Sequence, residues 1–385
     1  MGKVREFEPI SAICKDCGRD FIITVEEQKR FKSLGFEIKE KQETLENEKR
    51  QKKWEKEEKA IERLTKNLLI PQISIKDMAL ENPSESLVII GNGFDLMHGV
   101  ESSYWDFQKT IGKNSRFRSY METYLDTDLW SNLEESLGKL NYSMFLNPDN
   151  VDMCLDNFVA YNPDAQAADF FAAVETSILP TFEIPRELKQ RFKKWIKTLV
   201  VQSDNRPFSM LHGDYKVLSF NYTEFIETLY GAKSNNVCYI HGCRKNRNNG
   251  KSSELILGHR PGMEEEQWDK VKLKPFKFKD PYKRYIMESA LETAAREAAW
   301  YEEETTKKCS DIIKKHRSFF DELTTIKSIF VIGHSLSEVD YPYFEEICKK
   351  TNAKWYIGYH TLDDLKRLLS FADKMNLSEI TIFRS

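Results

Sequence analysis

Leu87-Val-Ile-Ile-Gly91-Asn92-Gly93-Phe94-Asp95-Leu-Met-His98-Gly99 is an apolar run that breaks at a Gly-x-Gly turn. A strand buried on both faces reads as a continuous hydrophobic run, the habit of a parallel sheet covered by helices. Open α/β sheets place their ligands beyond the carboxyl ends of the strands, so residues 91–93 are expected at a binding crevice. Glycines there permit φ > 0 and close approach to a phosphate or sugar, and the following helix start offers N–H donors. Asn92 and Asp95 are polar groups that need partners. A hydroxylated ligand would satisfy both, and Asp95 is equally suited to cap the next helix.

Working outward, similar apolar runs recur at 215–220, 237–241, 254–257, 329–333, 355–358 and 380–383. Helical stretches alternate with them at 222–231, 285–325, 338–351 and 362–376. The alternation predicts an α/β fold, a Rossmann-type parallel sheet flanked by helices. Residues 103–203 contain helical patterns and no strand, which reads as a large helical insertion after the first strand. Three later runs also end in polar residues. They are Val217-Leu-Ser-Phe-Asn221-Tyr-Thr223, Val237-Cys-Tyr-Ile-His241-Gly242 and Phe330-Val-Ile-Gly333-His334-Ser335-Leu-Ser337-Glu-Val-Asp340. A strand-end histidine such as His241, with an ordinary pKa near 6.5, suits a general base. Ser337 or Asp340 is available to cap the helix behind the last run.

Four motifs taken together, GNGFDLMHGVESSYWDF from residue 91, LSFNYTEFIE from 218, VCYIHG from 237 and VIGHSLSEVDYPYF from 331, resemble the AbiH family of bacterial phage abortive-infection proteins. The resemblance spans roughly 86–385. The same set is similar, more remotely, to sirtuin-like NAD-binding domains. That resemblance implies a fold with NAD across the strand ends. Gly91 and Gly93, with Asn92 and Asp95 in the same turn, would face the pyrophosphate and ribose. Asn221 would orient water at the nicotinamide ribose, His241 would be the base, and Gly333, His334 and Ser335 would bracket the adenosine half. Asp95 departs from the small hydroxyl residue of the sirtuin turn, and Thr223 stands where an Asp is found there. The four-cysteine zinc lobe is absent, since only Cys243 and Cys309 fall between HG and GHS, so protein deacylation is not expected. The implied function is an anti-phage effector that binds NAD or a related nucleotide and hydrolyses it, as an NAD glycohydrolase needing no metal or other cofactor for catalysis. Two other readings stay open: a nucleotide-sensing module without turnover, and a nucleic-acid-directed effector.

The nucleic-acid reading rests on residues 270–284, KVKLKPFKFKDPYKR, where cations interleave with stackable rings. A basic loop that packs its rings inward has the same composition. Smaller features have plain explanations too. Glu134 in Trp130-Ser-Asn-Leu-Glu-Glu135 fits a solvated first turn as well as an inward position by the crevice, and Arg260 after Gly258-His259 fits a loop exit.

The chain of 385 residues divides, by pattern, into a small module at 1–36, a charged helix at 37–70, a linker at 71–85 and the α/β domain at 86–385. Cys14-Lys-Asp-Cys17-Gly resembles half of a zinc ribbon, but tetrahedral zinc needs four ligands and the next candidates are His98 and Cys154. The module therefore reads as a degenerate one, with structural zinc not expected. Residues 37–66 hold ten Lys/Arg and nine Asp/Glu with no Gly or Pro, and Glu46/Arg50, Glu55/Lys59 and Glu62/Lys66 form favourable i, i+4 pairs. Trp54, Ile61, Leu64 and Leu68 make a narrow apolar seam, a docking stripe able either to lie on the main domain or to pair with another helix, the latter being a route to a homo-oligomer through 37–68.

Composition narrows the classes further. A formal charge of −3 gives no whole-chain attraction to nucleic acid or anionic lipid. Seven scattered cysteines behind an N-terminus without an apolar leader fit reduced thiols and a cytoplasmic location. No apolar run approaches the roughly 20 residues of a membrane span.

Overall fold

The computed structural model describes residues 10–13, 20–23, 40–141, 167–245, 254–261 and 281–385. Two compact units divide at Leu68. In the first, β1 (Ile10–Ile13) and β2 (Asp20–Ile23) pair antiparallel with Ile10 opposite Ile23, and α1 (Glu40–Asn67) runs for 28 residues. Its length is about 42 Å at the usual rise. Cys14 and Cys17 lie outside the described residues. Among the described residues no group of three metal-ligating side chains occurs, and no helix is long and apolar enough to cross a membrane.

The second unit, Leu69–Ser385, is built on six strands: β3 (Ser86–Ile90), β4 (Lys216–Ser219), β5 (Val237–Tyr239), β6 (Ser328–Ile332), β7 (Lys354–Tyr359) and β8 (Ile380–Arg384). All pairings are parallel and the spatial order is β5-β4-β3-β6-β7-β8. Counted from β3 as the first, this is 3-2-1-4-5-6, the order of the doubly wound dinucleotide-binding fold. The direction of winding reverses between β3 and β6, where connections leave the sheet on opposite faces and open a crevice. Both central strands are apolar because both faces are covered: all five residues of β3 and the last four of β6 are buried. Each buried Val, Leu, Ile or Phe side chain among them contributes about 1.5–3 kcal/mol by leaving water.

Helices at the edges show how the sheet is covered. In α12 (Leu362–Lys374), Thr361 and Asp364 form a capping box, and Leu365, Leu368, Phe371 and Ala372 supply the buried stripe. The α11 helix (Tyr341–Lys350) buries Tyr343, Phe344 and Ile347. Between β3 and β4 the described elements are all helical: α2 (Asn92–Met97), α3 (Tyr104–Lys109), α4 (Arg116–Tyr124), α5 (Leu133–Leu137) and α6 (Ala167–Ile196). Among the described residues four further helices belong to the unit: α7 (Phe225–Tyr230), then α8 (Pro281–Thr305), α9 (Cys309–Lys315) and α10 (Arg317–Asp321).

One expectation is corrected. Residues 254–257 form no strand: Ile256 N–H donates to His241 O at 2.9 Å and the Tyr222 hydroxyl to Ile256 O at 2.8 Å, but no ladder follows. Residues 71–85 are anchored to the sheet, with Ile73 N–H donating to Ile382 O and Ile382 N–H to Pro71 O on the edge strand β8. Of the basic strip, 270–280 lies outside the described residues, and Pro281 opens α8.

Candidate functional site

A cavity of about 740 Å³ runs across the carboxyl ends of the strands. All nine residues expected at the crevice line it: Gly91, Asn92, Gly93, Asp95, Asn221, His241, Gly333, His334 and Ser335. They come from four strand ends, β3, β4, β5 and β6, which the parallel topology puts on one side of the sheet.

Close packing of the protein's own backbone requires glycine at three of these positions. A Cβ on Gly91 would lie 2.7 Å from His334 Cα, one on Gly93 2.7 Å from Gly333 Cα, and one on Gly333 2.1 Å from Phe94 N. The two turns at the switch point are packed backbone against backbone. Gly93 N–H donates to Gly333 O at 2.7 Å, Gly91 N–H to Ile332 O and Phe94 N–H to Gly91 O. These donors are thus spent within the protein and do not form a phosphate cradle. Asn92 is likewise engaged, its amide donating to Ser102 O at 2.9 Å.

Asp95 is neither a helix cap nor a free acceptor. Gly91 occupies the cap position of α2, while Asp95 is buried one turn in. Its Oδ1 accepts from Asn221 Nδ2 at 2.8 Å and its Oδ2 from the Thr223 hydroxyl at 2.6 Å. The Asp95 and Thr223 that depart from the sirtuin pattern are therefore complementary to each other. Burial pushes the Asp95 carboxyl up to about 7, against the two hydrogen bonds that favour its charge. Asn221 lines the cavity and gives its amide to Asp95, while its Oδ1 is buried without a hydrogen-bond partner.

The second cluster joins β5, β6 and two helices. Lys307, just past α8, has a side chain with no exposed surface. Its Nζ lies 3.0 Å from Glu134 Oε1 on α5 and 3.2 Å from Asp340 Oδ1, so the two carboxylates stand within about 6 Å of each other. Backbone bonds fix the lysine: His259 N–H donates to Thr305 O and Lys307 N–H to His259 O. Asp340 heads α11 without using its side chain as a cap, and Ser337 likewise makes no side-chain cap bond. Instead Asp340 Oδ2 lies 3.4 Å from His334 Nε2. Leu336 N–H donates to His334 Nδ1 at 2.9 Å, which leaves the ring proton on Nε2, facing Asp340. That return of the chain uses left-handed backbone at Gly333 (φ 62°) and Leu336 (φ 53°).

The environments of the two carboxylates differ. Burial raises Glu134 to about 6, with Lys307 only partly opposing it. For Asp340, burial is outweighed by Lys307 and by the hydrogen bond from His334, and its carboxyl is held well below the usual range. Lys307 keeps its proton firmly, the two carboxylates overcoming its burial. Neighbouring carboxyl groups held apart in this way divide into a proton carrier and a permanent anion. Burial and Lys307 push His241 well below its ordinary value, which favours the neutral ring. Its Nε2 is buried without a hydrogen-bond partner, 3.6 Å from Asp340 Oδ1. Phe220 separates the two imidazoles, its ring 5.3 Å from His241 and 4.3 Å from His334.

Lys307 had no local signal in the sequence, since a Lys-Lys pair after a charged helix ordinarily faces water. Glu134 takes the inward position rather than the solvated one. Tyr104, Trp105 and Tyr222, also on the cavity wall, came unsought.

Fold and site together define a doubly wound α/β protein with an aromatic-walled cavity, set with polar side chains, at its topological switch point. The chain belongs to the family described as Bacteriophage abortive infection AbiH, whose model matches residues 87–359. No curated protein and no solved structure matches it.

Proposed function

We propose that this protein acts in phage defence by hydrolysing the N-glycosidic bond of NAD or a related nucleotide in the strand-end cavity. The observation that carries the reading is the Glu134/Asp340 pair around buried Lys307, one carboxyl with a raised pKa and one held ionised, in a cavity that Asn221 also lines. In the reaction the bond between C1′ and the base nitrogen breaks heterolytically. Its electron pair leaves with the base, which departs neutral, and C1′ becomes oxocarbenium-like. The ionised Asp340 stabilises that charge from a buried position, where electrostatic interactions are stronger than in water. Water adds at C1′, one hydrogen donated to Asn221 Oδ1 and its proton passing to Glu134, which is deprotonated above pH 6 or so. Neutral His241 offers Nε2 to a sugar hydroxyl. The proton-accepting role expected of His241 thus falls to Glu134.

Chromatography of NAD incubated with the purified protein, alone and with phage-infected lysate, tests this. Nicotinamide release by the wild type, and its loss in Glu134→Gln, is expected. Absence of release under both conditions refutes hydrolysis; NAD binding without release would favour the sensing module instead.

A further inference from the structure

We infer that His334 is a positioning residue of the cavity, an imidazole fixed in one orientation and one tautomer that holds the Asp340 carboxylate against rotation. The inference deepens the proposed reading, on which it rests for turnover but not for geometry. The ring has little freedom, its side chain being 2% exposed. It packs against two nearly parallel phenyl rings, Phe220 at 4.3 Å and Phe344 at 5.2 Å, and is turned 70° and 76° to their planes. Beneath it the turn after β3 approaches so closely that a Cβ on Gly91 would lie 2.7 Å from His334 Cα and 3.0 Å from its Cβ.

The tautomer is set from the other side of the turn. Leu336 N–H donates to Nδ1, so the ring proton sits on Nε2. Leu336 presents that N–H from left-handed backbone at φ 53°, a conformation that a bulky residue holds only where its surroundings impose it. The proton on Nε2 then faces Asp340 Oδ2 at 3.4 Å, while Lys307 Nζ holds Oδ1 at 3.2 Å. With a partner on each oxygen the carboxylate is oriented before any ligand arrives. An anion that stabilises a developing positive charge works best when it is already in place, because no reorganisation accompanies the reaction. Both ring nitrogens of His334 are engaged within the protein, so it acts on the contents of the cavity through Asp340.

Two measurements on the full chain test this. Long-range 1H–15N correlation at pH 8, on protein labelled with 15N in histidine and with His334→Gln to assign the signals, reports the tautomer. A protonated Nε2 with a bare Nδ1 is expected, and the opposite tautomer would overturn the inference. The second measurement compares His334→Gln, whose amide N–H reaches the Nε2 position, with His334→Leu, which fills similar space without a donor. In nicotinamide release the leucine variant should lose about tenfold or more in kcat with little change in KM, and the glutamine variant should recover most of it. Equal rates in the two variants would make His334 a packing residue only and overturn the inference. If the leucine variant does not fold, His334→Asn, whose amide stops at the Nδ1 position, takes its place. Should the wild type release no nicotinamide, the proposed hydrolysis fails alone and urea unfolding at pH 8 decides. The stability gained by glutamine over leucine should then shrink when Asp340→Asn is added. A gain that is absent, or unchanged by Asp340→Asn, overturns the inference without reference to turnover.

Discussion

Replacing Lys307 with methionine removes the only cation between Glu134 and Asp340 among the described contacts, while keeping most of the side-chain volume. At 3.0 and 3.2 Å the attraction to each carboxylate is about 5 kcal/mol at an effective dielectric of about 20. Desolvation of a buried ion opposes this by several kcal/mol, so the intact cluster adds little net stability. The variant is different, because it strands two like charges in the interior, and the expected cost is about 3–5 kcal/mol at pH 8. Glu134, already raised to about 6, will take up a proton as the pH falls. The penalty should therefore shrink by 1 kcal/mol or more, on the order of one pKa unit's worth, between pH 8 and pH 5.5. Adding Glu134→Gln to Lys307→Met should recover part of the loss at pH 8. Urea unfolding followed by tryptophan fluorescence, with Trp130 and Trp195 on the cavity wall as reporters, measures all three. A cost below about 1 kcal/mol at pH 8, or one independent of pH, would refute the description of the cluster as a buried, mutually dependent triad.

Three further expectations come from other parts of the fold. Asp95, raised to about 7, favours the folded state when protonated; that contribution is complete below its ordinary value and is lost as pH rises through 7. Between pH 5.5 and 8.5 the wild type should lose about 2 kcal/mol more than Asp95→Asn in parallel denaturation curves. Gly333→Ala would put a Cβ 2.1 Å from Phe94 N at φ 62°, and it should cost at least about 3 kcal/mol in the same assay. Removing residues 1–80 should change the oligomeric mass by light scattering and basal toxicity in a growth assay together; if both stay constant, the seam on α1 has no assembly role.

Much of the fold was legible because parallel strands buried on both faces leave continuous apolar runs, as in Leu87–Ile90 and Ile329–Ile332. The candidate residues converged because each follows the carboxyl end of such a run, and parallel pairing sends all those ends to one crevice. Partnerships were not legible. Asp95 and Thr223 are separated by 128 positions and Glu134 and Lys307 by 173, and nothing in local spacing joins them. The glycines illustrate a subtler failure. Gly-x-Gly does mark a close backbone approach, but the approaching backbone is the protein's own turn at Gly333. The run at 254–257 has strand composition, yet it meets β5 only at its exit, and one backbone bond to His241 does not make a ladder.

Hydrolysis at this cavity has its most direct readout in an infected cell. Extracts taken through phage infection should show loss of NAD and gain of free nicotinamide in cells carrying the wild type, coincident with protection. Cells carrying Glu134→Gln at equal soluble abundance should show neither. Protection that persists in the Glu134→Gln cells with NAD intact would contradict hydrolysis at this cavity as the working activity.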